Sequence, residues 1–277
     1  MKLYYGSDLH LEFEKGAKHT IDVPEGDVLV LAGDVYTPWY QGQAKAAVRE
    51  SFFAEVSEKF KTVLYIMGNH EHYGGYFVQT DNLICEQLEK FKNIYLMNGN
   101  YHQVENVLFY GTTFWTDCRG SHPEVMWDVQ RNMNDYTEIR YSEDRMDYTS
   151  GQYNGYSKRS RLLASDTVNE NHYARKGLTA FLSKAEEQDL HPVVIAHHHP
   201  SFACVEEMYR MDNLSYAYAN TGLDDLLVMA PKHHWICGHM HKQDQIEIGN
   251  ATVCTHARGY IGYESSANQY TFATLDI

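Results

Sequence analysis

The chain has 277 residues, 43% of them hydrophobic, so it can bury a sizeable core. Global disorder is excluded, and one large α/β domain or two small ones remain. With 23 basic against 37 acidic residues the formal charge is −14, which fits long nucleic acid poorly because Lys and Arg must displace its counterions.

In chain order, β-branched and apolar runs predict strands at Lys2–Gly6, Val28–Ala32 and Thr62–Met67. Between the last two, Gln43–Lys61 spaces Ala47, Val48, Phe52, Phe53, Val56 and Phe60 at helical intervals. A second helix is predicted from about Phe77 to Phe91. Strands follow at Ile94–Met97, Tyr101–Val104 and Val107–Gly111, the last two joined by a Glu105-Asn106 turn. Strands alternating with helices predict an α/β fold with its functional residues at strand C-terminal ends.

From Trp115 to about His172 the periodicity fades and Tyr, Arg, Asp, Asn and Ser dominate. A connection this long is usually functional. One reading is a cap or rim over the metal site, in which Arg140, Arg145, Lys158, Arg159 and Arg161 are candidate phosphate contacts. The alternative is a surface insertion or oligomer contact. A helix at Tyr173–Gln188, a strand at Pro192–Ala196, a short helix at Gly222–Met229 and a strand at His234–Cys237 come next. Gln245–Ile248, Thr252–Thr255 and Tyr270–Leu275 are predicted to close a second sheet in antiparallel fashion. No linker or repeat interrupts the chain, so residues 1–277 read as one domain with an insertion at about 115–172.

Five pieces end on side chains that bind metals: Asp8-Leu9-His10, Gly33-Asp34, Gly68-Asn69-His70-Glu71, Ala196-His197-His198-His199-Pro200 and Gly238-His239-Met240-His241. Several follow strand-like runs, and side chains at the ends of adjacent strands converge. Alone, each piece is an ordinary turn or strand exit; jointly they point to a two-metal centre that hydrolyses phosphate esters. Carboxylate, amide and imidazole without thiolate suit Mn, Fe, Co, Ni or Zn. Two such ions can clamp an in-line displacement at phosphorus and lower the pKa of a water toward ~7, giving a hydroxide nucleophile. Asp34, alone in its motif, is a natural bridging carboxylate.

At these residues the chain resembles the calcineurin-like metallophosphoesterase superfamily, whose pattern is D-x-H, G-D, G-N-H-[DE], a strand ending in His, and G-H-x-H. The likeness runs from Ser7 to His241 in the right order. It implies a four-layer αββα sandwich: two mixed sheets flanked by helices, with the dinuclear site at strand C-terminal ends. By that resemblance Asp8, His10, Asp34 and His241 would hold one metal. Asp34, Asn69, His197 and His239 would hold the other, and His70 would protonate the leaving group. Of the three consecutive histidines, His197 is chosen because it ends its strand, and alternation points His198 the opposite way. His72 and His198 are expected around the ligands or the substrate. The segment Cys254-Thr255-His256-Ala257-Arg258-Gly259-Tyr260 resembles the N-P-R-G-Y stretch of some bacterial and phage members, with His-Ala in place of Asn-Pro. Arg258 and Tyr260 become substrate contacts on that basis alone, with packing as the alternative for Arg258. Many members carry Asp or Arg a few residues after the G-D; here Val35-Tyr36-Thr37-Pro38-Trp39 supplies neither.

The expected enzyme is a phosphodiesterase on a small, nucleotide-type substrate, with two divalent ions, manganese favoured. A phosphomonoesterase or protein phosphatase is the alternative, and a non-catalytic scaffold is disfavoured because His70 and every proposed ligand are present. Cys85, Cys118, Cys204, Cys237 and Cys254 are odd in number and lack C-x-x-C spacing, which suggests reduced thiols in a cytoplasmic setting. No signal peptide precedes the first motif, and no apolar run reaches the ~18–20 residues of a membrane span. Membrane partners are therefore not expected, and the oligomeric state is left open.

Overall fold

The computed structural model describes residues 1–40, 42–142 and 161–277. The strands are β1 (Leu3–Gly6), β2 (Gly26–Ala32), β3 (Phe60–Ile66), β4 (Ile94–Met97), β5 (Asn100–Val104), β6 (Val107–Thr112), β7 (His191–Ala196), β8 (His233–Cys237), β9 (Gln243–Ile248), β10 (Ala251–His256) and β11 (Ala273–Leu275). The helices are α1 (Gln43–Lys59), α2 (Thr80–Leu88), α3 (Pro123–Asn132), α4 (Asp135–Glu138), α5 (Ala164–Glu187) and α6 (Asp224–Met229).

Two mixed sheets result, ordered β11-β1-β2-β3-β4 and β5-β6-β7-β8-β10-β9. In the first, β1 to β4 run parallel and β11 is the antiparallel edge. In the second, β6, β7, β8 and β10 run parallel between antiparallel edges β5 and β9. Parallel strands covered on both faces read as continuous apolar runs, as Val28-Leu29-Val30-Leu31-Ala32 does.

Three apolar layers hold four structural layers together. Between the sheets lie Leu3, Val28, Val30, Leu64 and Ile66 from one, against Phe109, Val193, Ile195 and Ile236 from the other. Outside the first sheet, Leu29, Leu31, Val63 and Tyr65 meet Val48, Phe52, Phe53 and Val56 of α1 and Ile84 of α2. Outside the second, Tyr110, Val194 and Trp235 meet Leu178, Phe181 and Leu182 of α5 and Leu227 of α6. The αββα sandwich is therefore present. Phe52 and Phe53 are fully buried, and truncating either to Ala is expected to cost about 3–5 kcal/mol.

Three predicted elements are corrected. The closing strand is Ala273–Leu275, and it pairs with β1 in the first sheet, Leu3 opposite Leu275. Alternation alone could not tell which sheet had an open apolar edge. α5 starts at Ala164, nine residues before the predicted Tyr173. Its buried Val168, Asn171 and Ala174 mix polar with apolar residues, which hides the helical period. Trp115–Tyr141 is structured: a left-handed turn at Cys118–Ser121 (φ 45, 57, 65 and 64°), then α3 and α4. These pack around their own cluster of Trp115, Cys118, Val125, Val129, Tyr136 and Ile139. A ten-residue and a four-residue helix are too short to show periodicity.

Candidate metal centre

Three of the five motifs leave their strands by left-handed turns. Asp8, His10, Asp34, His239 and His241 have positive φ, from 45 to 69°. Such backbone costs of order 1–3 kcal/mol per residue and persists only where its surroundings impose it. Here the loops bind one another. Asp8 N–H donates to Gly33 O at 3.0 Å, His10 N–H to Asp34 O at 3.0 Å, and Gly238 N–H to His197 O at 3.0 Å. The two sheets are stitched at this edge by Ser7 N–H to His256 O and Gly259 N–H to Asp8 O.

The motif glycines follow from this crowding. A Cβ at Gly68 would lie 2.2 Å from Asp34 Oδ1, and one at Gly238 would lie 2.8 Å from Asp8 Oδ2. Gly33 has φ 87° and would place a Cβ 2.5 Å from His197 Nδ1. No side chain fits at these positions without displacing a candidate ligand.

Three groups of donors have ligand atoms within 4.8 Å of one another. Asp8 with His10 and His241, and Asp34 with His197 and His239, form two groups on separate loops, and the third, His10 with Glu12 and His70, shares His10 with the first. His10 Nε2 faces His241 Nε2 at 3.2 Å, and His241 Nε2 lies 3.5 Å from Asp8 Oδ1. His197 Nε2 lies 3.4 Å from Asp34 Oδ2 and 3.1 Å from Asn69 Oδ1. The same Asp34 Oδ2 is 4.0 Å from His10 Nε2, so this carboxylate stands between the groups. His239 Nε2 is buried without a hydrogen-bond partner. An orphaned imidazole nitrogen, oxygen and nitrogen donors throughout, and glycine-lined crowding fit divalent ions.

The opposite atoms of these side chains are also occupied, as metal-binding imidazoles require. His197 Nδ1 pairs with Ala32 O at 2.8 Å, His241 Nδ1 with Glu264 Oε1 at 2.7 Å, and His10 Nδ1 with Glu12 Oε1 at 3.2 Å. Asn69 Nδ2 donates to Asp135 Oδ1 at 2.8 Å. Glu71 ties the loops by accepting from the backbone N–H groups of Asp34, Val35 and Gly68 and from the Tyr65 hydroxyl. Burial, then the Asp34 charge, raises the Glu71 carboxyl to about 7. For Asp34 itself burial is outweighed by His197 and His70, which hold it well below the usual carboxylate range.

His70 stands over this floor. Its backbone N–H donates to Asp34 Oδ1 at 2.8 Å, its ring stacks on Tyr73 at 4.2 Å and 21°, and its Nε2 is 3.2 Å from the Tyr260 hydroxyl. Glu12 Oε1 lies 3.4 Å from its Nδ1. Burial would lower the imidazole, but Asp34 and Glu12 outweigh it and raise His70 to about 9.

A cleft of about 770 Å³ opens above, with Asp34, Asn69, His239 and His241 on its floor and His70 over them. Tyr73, Tyr209, Tyr218, Tyr260, Asp212 and Lys242 line its walls. Tyr260, one of the residues proposed from the sequence, lines this cleft. His198 and Arg258 do not line it. His198 packs behind His239 and against Trp115, at centroid distances of 4.5 and 5.0 Å, with Nδ1 on Thr113 O. Arg258 is 1% exposed, and its guanidinium ties Leu9 O, Glu14, Thr20 and Ala267 O together. It supports the loop between Asp8 and His10 and does not line the cleft. Of the five basic residues in the insertion, Arg145, Lys158 and Arg159 lie outside the described residues. Arg140 and Arg161 are exposed, and Arg140 sits over the Tyr76 ring.

Glu12, Tyr73, Asp135 and Glu264 were missed. Glu12 had a signal, two residues past His10 in Leu9-His10-Leu11-Glu12; Asp135 had none, because its neighbours come from distant motifs.

Fold and site together define a metallohydrolase of phosphate esters. A family model described as calcineurin-like phosphoesterase matches residues 1–243, and the chain belongs to that family of dinuclear, divalent-metal-dependent hydrolases. Over 296 aligned residues it is 22% identical to an uncharacterized protein of Acanthamoeba polyphaga mimivirus, covering 99% of this chain and 96% of the viral one. Phosphopantetheinyl hydrolase from Mycobacterium tuberculosis superposes with a TM-score of 0.63 at 15% identity, over 99% of this chain and 95% of that one. A dimetal phosphatase from Danio rerio gives 0.50 at 14%, over 99% and 91%. At these identities the structural likeness speaks to the fold.

Proposed function

We propose that the protein is a phosphodiesterase acting on a small, nucleotide-type ester. The observation that carries this is the charge of the cleft. Besides its histidines, Lys242 is the cationic side chain among the described lining residues; it is paired with Glu206 at 3.0 Å, and Asp212 adds a further carboxylate to the lining. Tyrosines and the amides of Asn132 and Asn134 supply much of the remaining wall. A monoanionic diester with neutral, ring-bearing arms suits such walls better than a dianionic monoester or a polyphosphate. The Mycobacterium tuberculosis neighbour is named for a phosphopantetheinyl group, itself a small phosphorylated arm.

Asp8, His10, Asp34 and His241 would hold one ion, and Asp34, Asn69, His197 and His239 the other. Manganese is the first candidate within the donor set's range. When bound, the ions supply Lewis-acid charge to the phosphoryl oxygens and a water acidic enough to attack at neutral pH. His70 supplies the leaving oxygen's proton from Nε2, the nitrogen beside the Tyr260 hydroxyl. Glu12 and the Tyr73 ring hold that imidazole in place. The chain is read as one domain whose insertion caps the cleft. A cytoplasmic location agrees with free cysteines and with the lack of any helix, among the described residues, able to cross a membrane.

The test compares bis-p-nitrophenyl phosphate with p-nitrophenyl phosphate on metal-stripped protein reloaded with Mn²⁺, Ni²⁺, Co²⁺ or Zn²⁺. Faster turnover of the diester is expected. A preference for the monoester would replace this reading with a phosphatase.

A further inference from the structure

We infer that Asp135 is a positioning residue of the metal centre, supplied by the insertion and lying outside all five motifs. The inference rests on the proposed role of Asn69 as a ligand. Asp135 is 3% exposed and begins α4. Its Oδ1 accepts two hydrogen bonds, from Asn69 Nδ2 at 2.8 Å and from the Tyr73 hydroxyl at 2.7 Å.

An asparagine amide presents a donor end and an acceptor end of nearly the same shape. A cation needs the oxygen, and the backbone around Asn69 does not by itself choose which end faces inward. An ionised carboxylate is acceptor-only. Asp135 therefore selects the orientation in which the NH₂ faces outward and Oδ1 faces His197 Nε2, 3.1 Å away. The flipped amide would set oxygen against oxygen at Asp135 and offer N–H groups to a cation.

The second hydrogen bond extends the same control to the proton donor. Tyr73 gives its hydroxyl proton to Asp135 while its ring stacks on His70 at 4.2 Å. One buried carboxylate thus sets both an amide on the floor and the imidazole above it. It also explains why α4 packs against the site: Gly74 N–H donates to Glu138 O, and Arg140 N–H donates to Gly75 O, clamping the Asn69–Gly75 loop to the insertion.

The experiment titrates Mn²⁺ into metal-stripped wild type, D135A and D135N against a chelating indicator, with thermal melts of the metal-free forms alongside. Wild type should bind two ions. D135A should keep one at wild-type affinity and bind the other about 10–100-fold more weakly, the range for lost outer partners. D135N, whose Oδ1 can accept from the same two donors, should recover most of that loss. Two tightly bound ions in D135A would overturn the inference, as would joint loss of both ions with no recovery in D135N. A wild-type chain binding fewer than two ions would overturn the ligand reading, and this inference with it. Side-chain amide NMR gives a readout that does not need D135A to fold. The Asn69 NH₂ signal should move in D135N, and an unmoved signal rules the contact out.

Discussion

The floor of the cleft and its walls are built on opposite principles. Floor residues stand just past strand ends, buried at Asp34 and Asn69 and partly buried at His239 and His241, and Asp34, His239 and His241 hold strained backbone among loops that hydrogen-bond one another. Wall residues such as Tyr209 and Lys242 stand on loops and short turns, and Tyr209 is half exposed. Rigid strands place atoms reproducibly, so the chemistry sits on the floor; loops vary cheaply, so selection among substrates falls to the walls. Mutations should separate the two regions by the size and kind of their effects.

The largest effect is expected at Asp34, between the two donor groups. D34N should lose metal together with activity, by several kcal/mol of transition-state stabilisation or about 10³-fold and more. Metal analysis and turnover decide this, and retention of both would remove the bridging role. Next comes His70. H70A should keep both ions and lose about 10²–10⁴-fold on esters with poor leaving groups. On p-nitrophenyl esters the loss should be much smaller, so the dependence on leaving-group pKa is the diagnostic. Equal losses on both ester types would make His70 a binding group.

A third effect belongs to the layer beneath the floor. Burial holds His72, His198 and His199 down to about 3. Such imidazoles gain their proton only on unfolding. The stability they contribute is present above the unfolded value near 6.5 and is lost as pH falls from there toward 3. Metal-free protein should therefore show a falling urea midpoint between pH 7 and 5. H72F, which also removes a buried nitrogen lacking a partner, should flatten that fall by about 1.4 kcal/mol per pH unit below pH 6. An unchanged slope would mean that His72 is charged in the folded state.

The walls should give the smallest effects. Lys242 and Glu206 form a partly exposed pair, worth at most about 1 kcal/mol. K242Q should shift KM by up to about fivefold and leave kcat alone. A large loss of kcat would move Lys242 onto the floor.

The floor was legible in the amino-acid sequence because its residues are tied to punctuation. Gly33, Gly68 and Gly238 precede Asp34, Asn69 and His239 because a Cβ there would strike a neighbouring ligand, so spacing and steric need coincide. His197 could be separated from His198 because strand alternation sends successive side chains to opposite faces. Arg258 was misjudged for the converse reason. Its place beside Tyr260 says nothing about direction, and the guanidinium turns inward to Glu14 and Leu9 O.

The sequence by itself determined the reaction class and which strand exits carry candidate donors, since apolar runs and motif spacing are local patterns, and the resemblance carried on those motifs implied the sandwich. Only the tertiary structure decided that Tyr270–Leu275 serves the first sheet as β11, that Trp115–Tyr141 folds into α3 and α4, and that Asp135 turns the amide of Asn69. Those outcomes depend on which distant surfaces meet: an open edge at β1, an apolar cluster under the insertion, a carboxylate 66 residues from its partner. Local spacing carries no record of such meetings.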